Sequence, residues 1–140
     1  AIIAEGGTPE VLLAARTERL LVGARDFTRM GCRVTLATDD GSAGHQGTAA
    51  DLLEAALEPR ESVVVYACGP MPMMRAVHEK CQAAGVVCWA SLEAHMACGD
   101  GVCMGCVVPA NREMEAERMV RVCREGPVFD TRDINWTACP

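Results

Sequence analysis

The chain has 140 residues, half of them hydrophobic, and a formal net charge of −6 from 13 Lys and Arg against 19 Asp and Glu, enough for one ordinary domain or two small ones. Its basic residues are scattered instead of gathered into a stripe, which weighs against a nucleic-acid or anionic-membrane partner, and its longest apolar runs, such as Val63 to Ala67, fall far short of the ~20 residues of a membrane span. Nine cysteines, an odd number with no signal segment ahead of them, weigh against a secreted disulfide scaffold and favour metal-held thiolates in a reducing, cytoplasmic setting.

In chain order, the opening "AIIAEGGTPE", which lacks a Met, reads as the start of a fragment. Val11 to Ala14 reads as a buried strand. Thr17 to Met30 carries Leu20, Leu21, Ala24 and Phe27 at helical spacing, with Gly31 as the stop. "CRVTLATDD" then suits a strand through Val34 and Thr35 that runs into the polar loop "TDDGSAGHQG". A second helix is expected from Thr48 to Leu57, with Leu52, Leu53 and Ala56 turned inward and Pro59 ending it. Val63 to Tyr66 is the clearest buried strand, broken at Gly69 and Pro70. A third helix follows from Pro72 to about Ala84, where Gly85 closes it, and "VVCWAS" is the last strand of the series. Strands alternating with helices predict an α/β fold with a mainly parallel sheet and right-handed crossovers.

After Ser91 the pattern changes. Gly, Cys and Met dominate, and "CVVPA" and "RMVRVC" predict a small antiparallel hairpin around Asn111. A segment of this size buries little core unaided and commonly leans on a metal centre. The expected division is therefore a nucleotide-binding type of domain over 1–91, incomplete at its amino end, and a small cluster-binding domain over 92–140.

Residues 98 to 106, "CGDGVCMGC", supply the chemistry. Cys98, Cys103 and Cys106 follow C-x4-C-x2-C, and Cys123 comes sixteen residues later. This is the plant-type spacing for a [2Fe-2S] cluster and differs from the bacterial C-x2-C-x2-C-x3-C run. Gly99, Gly101 and Gly105 allow positive φ and close approach of N–H groups to sulfur, and such donors offset the charge of the centre. The alternative is a structural zinc site, which four cysteines also satisfy, although zinc ribbons normally use two C-x2-C knuckles and only Cys103 and Cys106 form one here. Cys32, Cys81 and Cys88, in or beside apolar elements, read as core, and Cys139 reads as a loose thiol.

Ligands of an open parallel sheet bind outside the carboxyl ends of its strands. Two polar loops occupy such ends. Asp39 or Asp40, just past a strand, suits the ribose hydroxyls of NADH and repels the extra phosphate of NADPH; a plain acidic turn is the alternative. Cys68, Gly69 and Pro70 suit the nicotinamide ring, or a simple chain reversal. His45, His78 and His95 read as isolated surface residues, and Met71, Met73, Met74, Met96 and Met104 as gap fillers around the loops. No Ser-His-Asp or H-x-x-x-H pattern points to hydrolysis.

Taken together, "TDDGSAGHQG", "YACGPMPMM", "SLEAHMACGDGVCMGCVVP" and "RVCREGPVF" resemble the electron-transfer subunits of two-subunit, NAD-linked dihydroorotate dehydrogenases, within the ferredoxin-reductase family. The likeness runs from about Val11 to Trp136, and Ser91 to Phe129 is its specific part. "CGP" alone is widely shared among flavin reductases. The resemblance implies that Cys98, Cys103, Cys106 and Cys123 hold the cluster, that Asp39, Asp40 and Gly41 lie near the dinucleotide, and that Cys68 and Gly69 lie near the nicotinamide. It implies electron relay from an FMN-containing catalytic subunit through the cluster to FAD and NAD, within a hetero-oligomer of pyrimidine biosynthesis. Small subunits of ferredoxin:NADP transhydrogenases and of sulfide dehydrogenases share the architecture; in the former an Asp stands at the position of Cys98. The family's β-barrel with its Arg-x-Tyr-Ser flavin motif and its glycine-rich loop are not found in these residues, so FAD is expected to need the remainder of a full-length subunit. A zinc-stabilised interaction module is the reading from another class.

Overall fold

A computed structural model describes residues 2–57, 63–111 and 118–139. The chain falls into two compact units, Ala1–Glu58 and Pro59–Pro140.

In the first unit, strands β1 (Glu10–Ala15), β2 (Arg33–Thr38) and β3 (His45–Gln46) form a parallel sheet in that order. Val11 lies opposite Val34 and Leu13 opposite Leu36. Helix α1 (Ala24–Arg29) packs on β2, and α2 (Ala49–Ala56) packs on β1 and β2. The helix expected over 17–30 is thus only its last part. Gly23, at φ +83°, precedes α1, and a right-handed helix cannot run through that conformation. Ahead of it, Glu18–Leu20 makes one 3-10 turn, and Leu20 is 59% exposed instead of turned inward. Helix α2 matches its expectation because its start is encoded locally: the Thr48 hydroxyl accepts from Asp51 N at 3.4 Å while the Asp51 carboxylate accepts from Thr48 N at 2.7 Å. Such reciprocal caps satisfy two otherwise orphaned N–H groups. Leu52 and Leu53 are buried as expected and Ala56 is half-buried; Pro59 lies outside the described residues.

In the second unit, β4 (Val64–Cys68) pairs in parallel with β5 (Val87–Ser91), and helix α3 (Met71–Ala83) connects and covers them. Pro70 is the N-cap of α3 and Pro72 sits in its first turn, where a missing N–H costs nothing. Beyond β5 the chain forms β6 (Val107–Ala110), β7 (Arg118–Arg121), a single turn α4 (Val122–Glu125) and β8 (Val128–Asp130). β6 and β7 make the expected antiparallel hairpin, with Val108 opposite Val120; its turn, beyond Asn111, lies outside the described residues. β8 was not expected. It adds to β5 antiparallel, with Phe129 opposite Ala90, and gives the order β4-β5-β8. Among the described residues β1 and β4 each end their sheet on an unpaired edge. β4 is also less buried than its apolar run suggests. Successive strand residues face opposite sides, so Val65 and Ala67 are half-buried while Val64 and Tyr66 are 50% and 68% exposed.

One core holds the second unit together: Met74 of α3, Ala90 and Leu92, Cys106 and Val108, Val120 and Val122, then Phe129, Ile134 and Trp136. Residues from both sides of position 92 share it. His78 departs from expectation. It is buried on α3 and stacks on Trp136, with ring centroids 5.7 Å apart, while Trp136 Nε1 donates to Thr131 O at 2.7 Å. Burial lowers its pKa, because a buried imidazolium loses hydration. Cys81 and Cys88 are buried core residues as expected and Cys32 is half-buried. Met74 fills the core, whereas Met96 and Met104 are both 49% exposed.

Candidate functional site

The three-cysteine loop leads into β6. Its backbone takes positive φ at Gly99 (+67°), Gly101 (+83°) and, unexpectedly, at Met104 (+57°). Gly105 serves by its lack of a side chain instead: a Cβ there would stand 3.3 Å from Cys103 Sγ. The turns aim main-chain N–H groups at sulfur. Asp100 N donates to Cys98 Sγ and Gly105 N to Cys103 Sγ, each at 3.4 Å, and Cys123 N donates to Cys106 Sγ at 3.5 Å.

The four cysteines stand as two pairs. Cys98 interacts with Cys103, and Cys106 with Cys123. Cys123 is held by α4, whose first residue, Val122, donates from its N to Cys106 O at 3.1 Å. Cys98 and Cys103 are exposed and Cys106 is buried. Donated N–H groups from Cys103 and Asp100, with the Cys103 thiol, bring the Cys98 thiol down to about 6. Hydrogen bonds from Cys123 lower Cys106, and the same shared proton raises Cys123. Among the described residues no three His, Cys, Asp or Glu side chains converge closely enough to grip a metal ion as they stand, and all nine cysteines are free of disulfides. The donor set nevertheless fits an iron-sulfur centre: four thiols, already paired, with N–H donors on three of the sulfurs.

Sequence reasoning missed two residues beside this loop. Arg121, the last residue of β7, donates from Nη1 to Gly101 O at 2.8 Å and from Nε to both Glu125 oxygens at 3.1 and 3.0 Å. Its Nη2 also donates to Glu125 Oε1, and Glu125 Oε2 accepts the Arg121 main-chain N–H at 2.6 Å. The pairing lowers the Glu125 carboxyl to about 2 and raises Arg121. The i, i+4 spacing of opposite charges around Cys123 was the available signal.

The strand-end loops lie one in each unit. In the first, Asp40 Oδ1 accepts from Ser42 Oγ at 2.6 Å and from Ser42 N at 3.0 Å, which lowers its pKa. Ser42 Oγ in turn accepts Glu18 N at 2.7 Å. Gly41 supplies φ +72° at the turn, and Asp39 is exposed beside it. Gly44 lies so close to β2 that a Cβ would stand 2.1 Å from Leu36 O. In the second unit Cys68 is exposed at the end of β4, and Gly69 and Pro70 lead into α3; a Cβ on Gly69 would meet Met73 Cε at 2.4 Å.

Residues 93–135 match the family described as the iron-sulfur cluster binding domain of dihydroorotate dehydrogenase B. The chain is 36% identical over 90% of its length to a dihydroorotate dehydrogenase B (NAD(+)) electron transfer subunit of Desulforamulus reducens, and covers 48% of that relative. It is 38% identical over 89% of its length to the subunit of the same name from Caldanaerobacter subterraneus subsp. tengcongensis, again covering 48%. A homolog of that subunit in Aquifex aeolicus is 41% identical over 71% of the chain. Among solved structures, a chain of an NADH-dependent reduced ferredoxin-NADP oxidoreductase superposes with a TM-score of 0.81 at 28% identity, over 98% of this chain and 48% of that one. The expected α/β, ferredoxin-reductase-like fold is therefore observed. Residues 93–135 match the iron-sulfur cluster binding domain of dihydroorotate dehydrogenase B, and the chain as a whole resembles the electron transfer subunits of that enzyme, spanning about half the length of the curated relatives it matches.

Proposed function

We propose that this chain is the cluster-bearing part of an electron-transfer subunit of an NAD-linked dihydroorotate dehydrogenase. The observation that carries the reading is the pairing of Cys98 with Cys103 and of Cys106 with Cys123, with N–H donors on their sulfurs, inside the matched segment. In this reading these four thiolates would hold the centre. The donated N–H groups orient the sulfurs and offset negative charge. When bound, a [2Fe-2S] cluster supplies a one-electron station between an FMN-containing catalytic subunit and FAD with NAD, at a potential on the order of −400 mV for a plant-type centre.

In this reading Asp39, Asp40 and Gly41 meet the ribose of the dinucleotide, while Cys68, Gly69 and Pro70 face its nicotinamide. FAD is held by the rest of the full-length subunit. Residues 1–91 serve the nucleotide and residues 92–140 the cluster. The catalytic base for dihydroorotate belongs to the FMN partner in the hetero-oligomer of pyrimidine biosynthesis. Nine unpaired thiols suit the reducing cytoplasm. Among the described residues no helix is long and apolar enough to cross a membrane.

The test is anaerobic purification followed by absorbance, metal and sulfide analysis, then dithionite reduction with EPR. About two iron and two sulfide per chain, with visible bands that bleach on reduction, are expected for a [2Fe-2S] centre. A colourless chain holding one zinc would overturn the relay and leave a zinc-stabilised module. The likeness in fold to a ferredoxin-NADP oxidoreductase favours a second reading, a subunit of such a transhydrogenase. Co-purification with an FMN protein that oxidises dihydroorotate decides for the first.

A further inference from the structure

We propose that Arg121 and Glu125 are positioning residues: their ion pair latches the middle of the Cys98–Cys103 loop to the segment that carries Cys123 and balances the charge beside the centre those cysteines hold. The inference rests on the cluster reading above and goes beyond it by assigning residues that are not ligands.

Three observations carry it. The Arg121 guanidinium spans two pieces of chain far apart in sequence, donating to Gly101 O on one side and to Glu125 on the other. Glu125 closes the latch by accepting the main-chain N–H of Arg121 as well as its side chain, so the arginine is fixed at both ends across Cys123. Gly101 is buried although Asp100 and Val102 on either side are exposed. What covers it is this same segment, since a Cβ on Gly101 would stand 2.8 Å from Arg124 Cδ. Finally, the pair is shielded. Its side chains are 26% and 31% exposed, against 79% and 75% for Arg29 with Asp26 and 48% and 59% for Arg75 with Glu79. Partial shielding leaves charges less screened by solvent and salt. The guanidinium also lies within electrostatic reach of the Cys106 and Cys123 sulfurs.

The sign of the effect follows from charge. Reduction adds one negative charge to the centre, so a nearby cation favours the reduced form and a nearby anion disfavours it. The intact pair nearly cancels itself, whereas either half alone does not. An ion pair that merely braced α4 would hold the fold and leave the potential alone.

The experiment is redox titration by EPR of the iron-loaded chain, wild type against Arg121→Gln, Arg121→Lys and Glu125→Gln, with the rate of iron loss to a chelator measured alongside. Glu125→Gln, which strands the guanidinium, is expected to raise the midpoint potential. Arg121→Gln, which strands the carboxylate, is expected to lower it. Arg121→Lys keeps the charge but cannot fork between Gly101 O and Glu125, so it should hold a near wild-type potential while losing iron several-fold faster. Shifts of the same sign in the two neutral variants, or no shift in Glu125→Gln, would overturn the proposal. If Arg121→Gln fails to load, Glu125→Gln and Arg121→Lys still decide it. A wild-type chain that loads no cluster would overturn the functional reading first, and this inference with it.

Discussion

The cysteine loop and the loop after β2 are both glycine-rich turns at the ends of sheet elements, yet they are built for different tasks. In the cysteine loop the main chain turns its N–H groups toward sulfur and the side chains meet in pairs. In the loop after β2 the polar groups are spent on one another: Asp40 holds Ser42, Ser42 holds Glu18, and Thr38 Oγ1 donates to Ala43 O at 2.9 Å while accepting Ala43 N at 3.0 Å. The first loop presents thiols with main-chain N–H groups turned toward them, and the second ties its own polar groups together and presents a shape. A residue in the first is therefore judged by what it binds, and a residue in the second by what it holds in place.

The largest effect should come from breaking the first loop. Replacing Cys103 with Ser removes one of four thiolates and is expected to abolish the visible absorbance of the loaded protein, whereas Cys68→Ser in the other strand-end loop keeps full colour. Retained colour in Cys103→Ser would show that the ligand set has been misassigned. Next comes the packing beneath that loop. Ile134 is fully buried in the core of the second unit, and Ile134→Ala should cost about 2–5 kcal/mol in denaturant unfolding. A loss below about 1 kcal/mol would mean that the site collapses around the cavity.

Smaller effects sharpen the contrast on the nucleotide side. Asp40 already accepts two hydrogen bonds from Ser42, so in the proposed reading Asp39 is the carboxylate that would meet ribose. Asp39→Asn in the full-length subunit should weaken NADH binding by about tenfold, roughly one lost hydrogen bond to a charged group, and narrow the preference over NADPH. Titration calorimetry with both dinucleotides would show it, and an unchanged preference would move the role to Asp40 or away from this loop. The smallest effect is one of pH. Glu125 falls from an ordinary 4.5 to about 2 in the folded chain, so its contribution is present above pH 4.5 and is lost as pH drops from there through about 2. Melting temperature followed down that window should fall less steeply in Glu125→Gln than in wild type; parallel curves would show that the pair adds no stability.

Much of the fold was legible because the signals are local. β2, α2, α3 and β5 announce themselves by apolar spacing and by caps such as Thr48 with Asp51 and Pro72 at a helix start. The four cysteines stood out as a set because C-x4-C-x2-C with a distant fourth Cys is a spacing that cluster-binding loops use. What escaped depends on partners distant in sequence. β8 is three residues long and is a strand only because β5 offers its edge. His78 read as a surface residue because it has no matched partner in the sequence, although buried Met74 and Cys81 share its helix face and Trp136, far along the chain, stacks on it. The helix over 17–30 fails at Gly23, where the apolar spacing continues but the backbone conformation does not. Arg121 and Glu125 carry no motif. Their importance comes from Gly101, and only the folded chain brings it to them.

The unpaired edge of β4 has a practical consequence for anyone handling this chain. Among the described residues β4 ends its sheet, and Val64, Val65, Tyr66, Ala67 and Cys68 carry no charge and no proline, two of the features by which edge strands ordinarily discourage one another. An edge of that kind, where it is open, is the line along which two copies would pair, and a lysine along it is the ordinary guard.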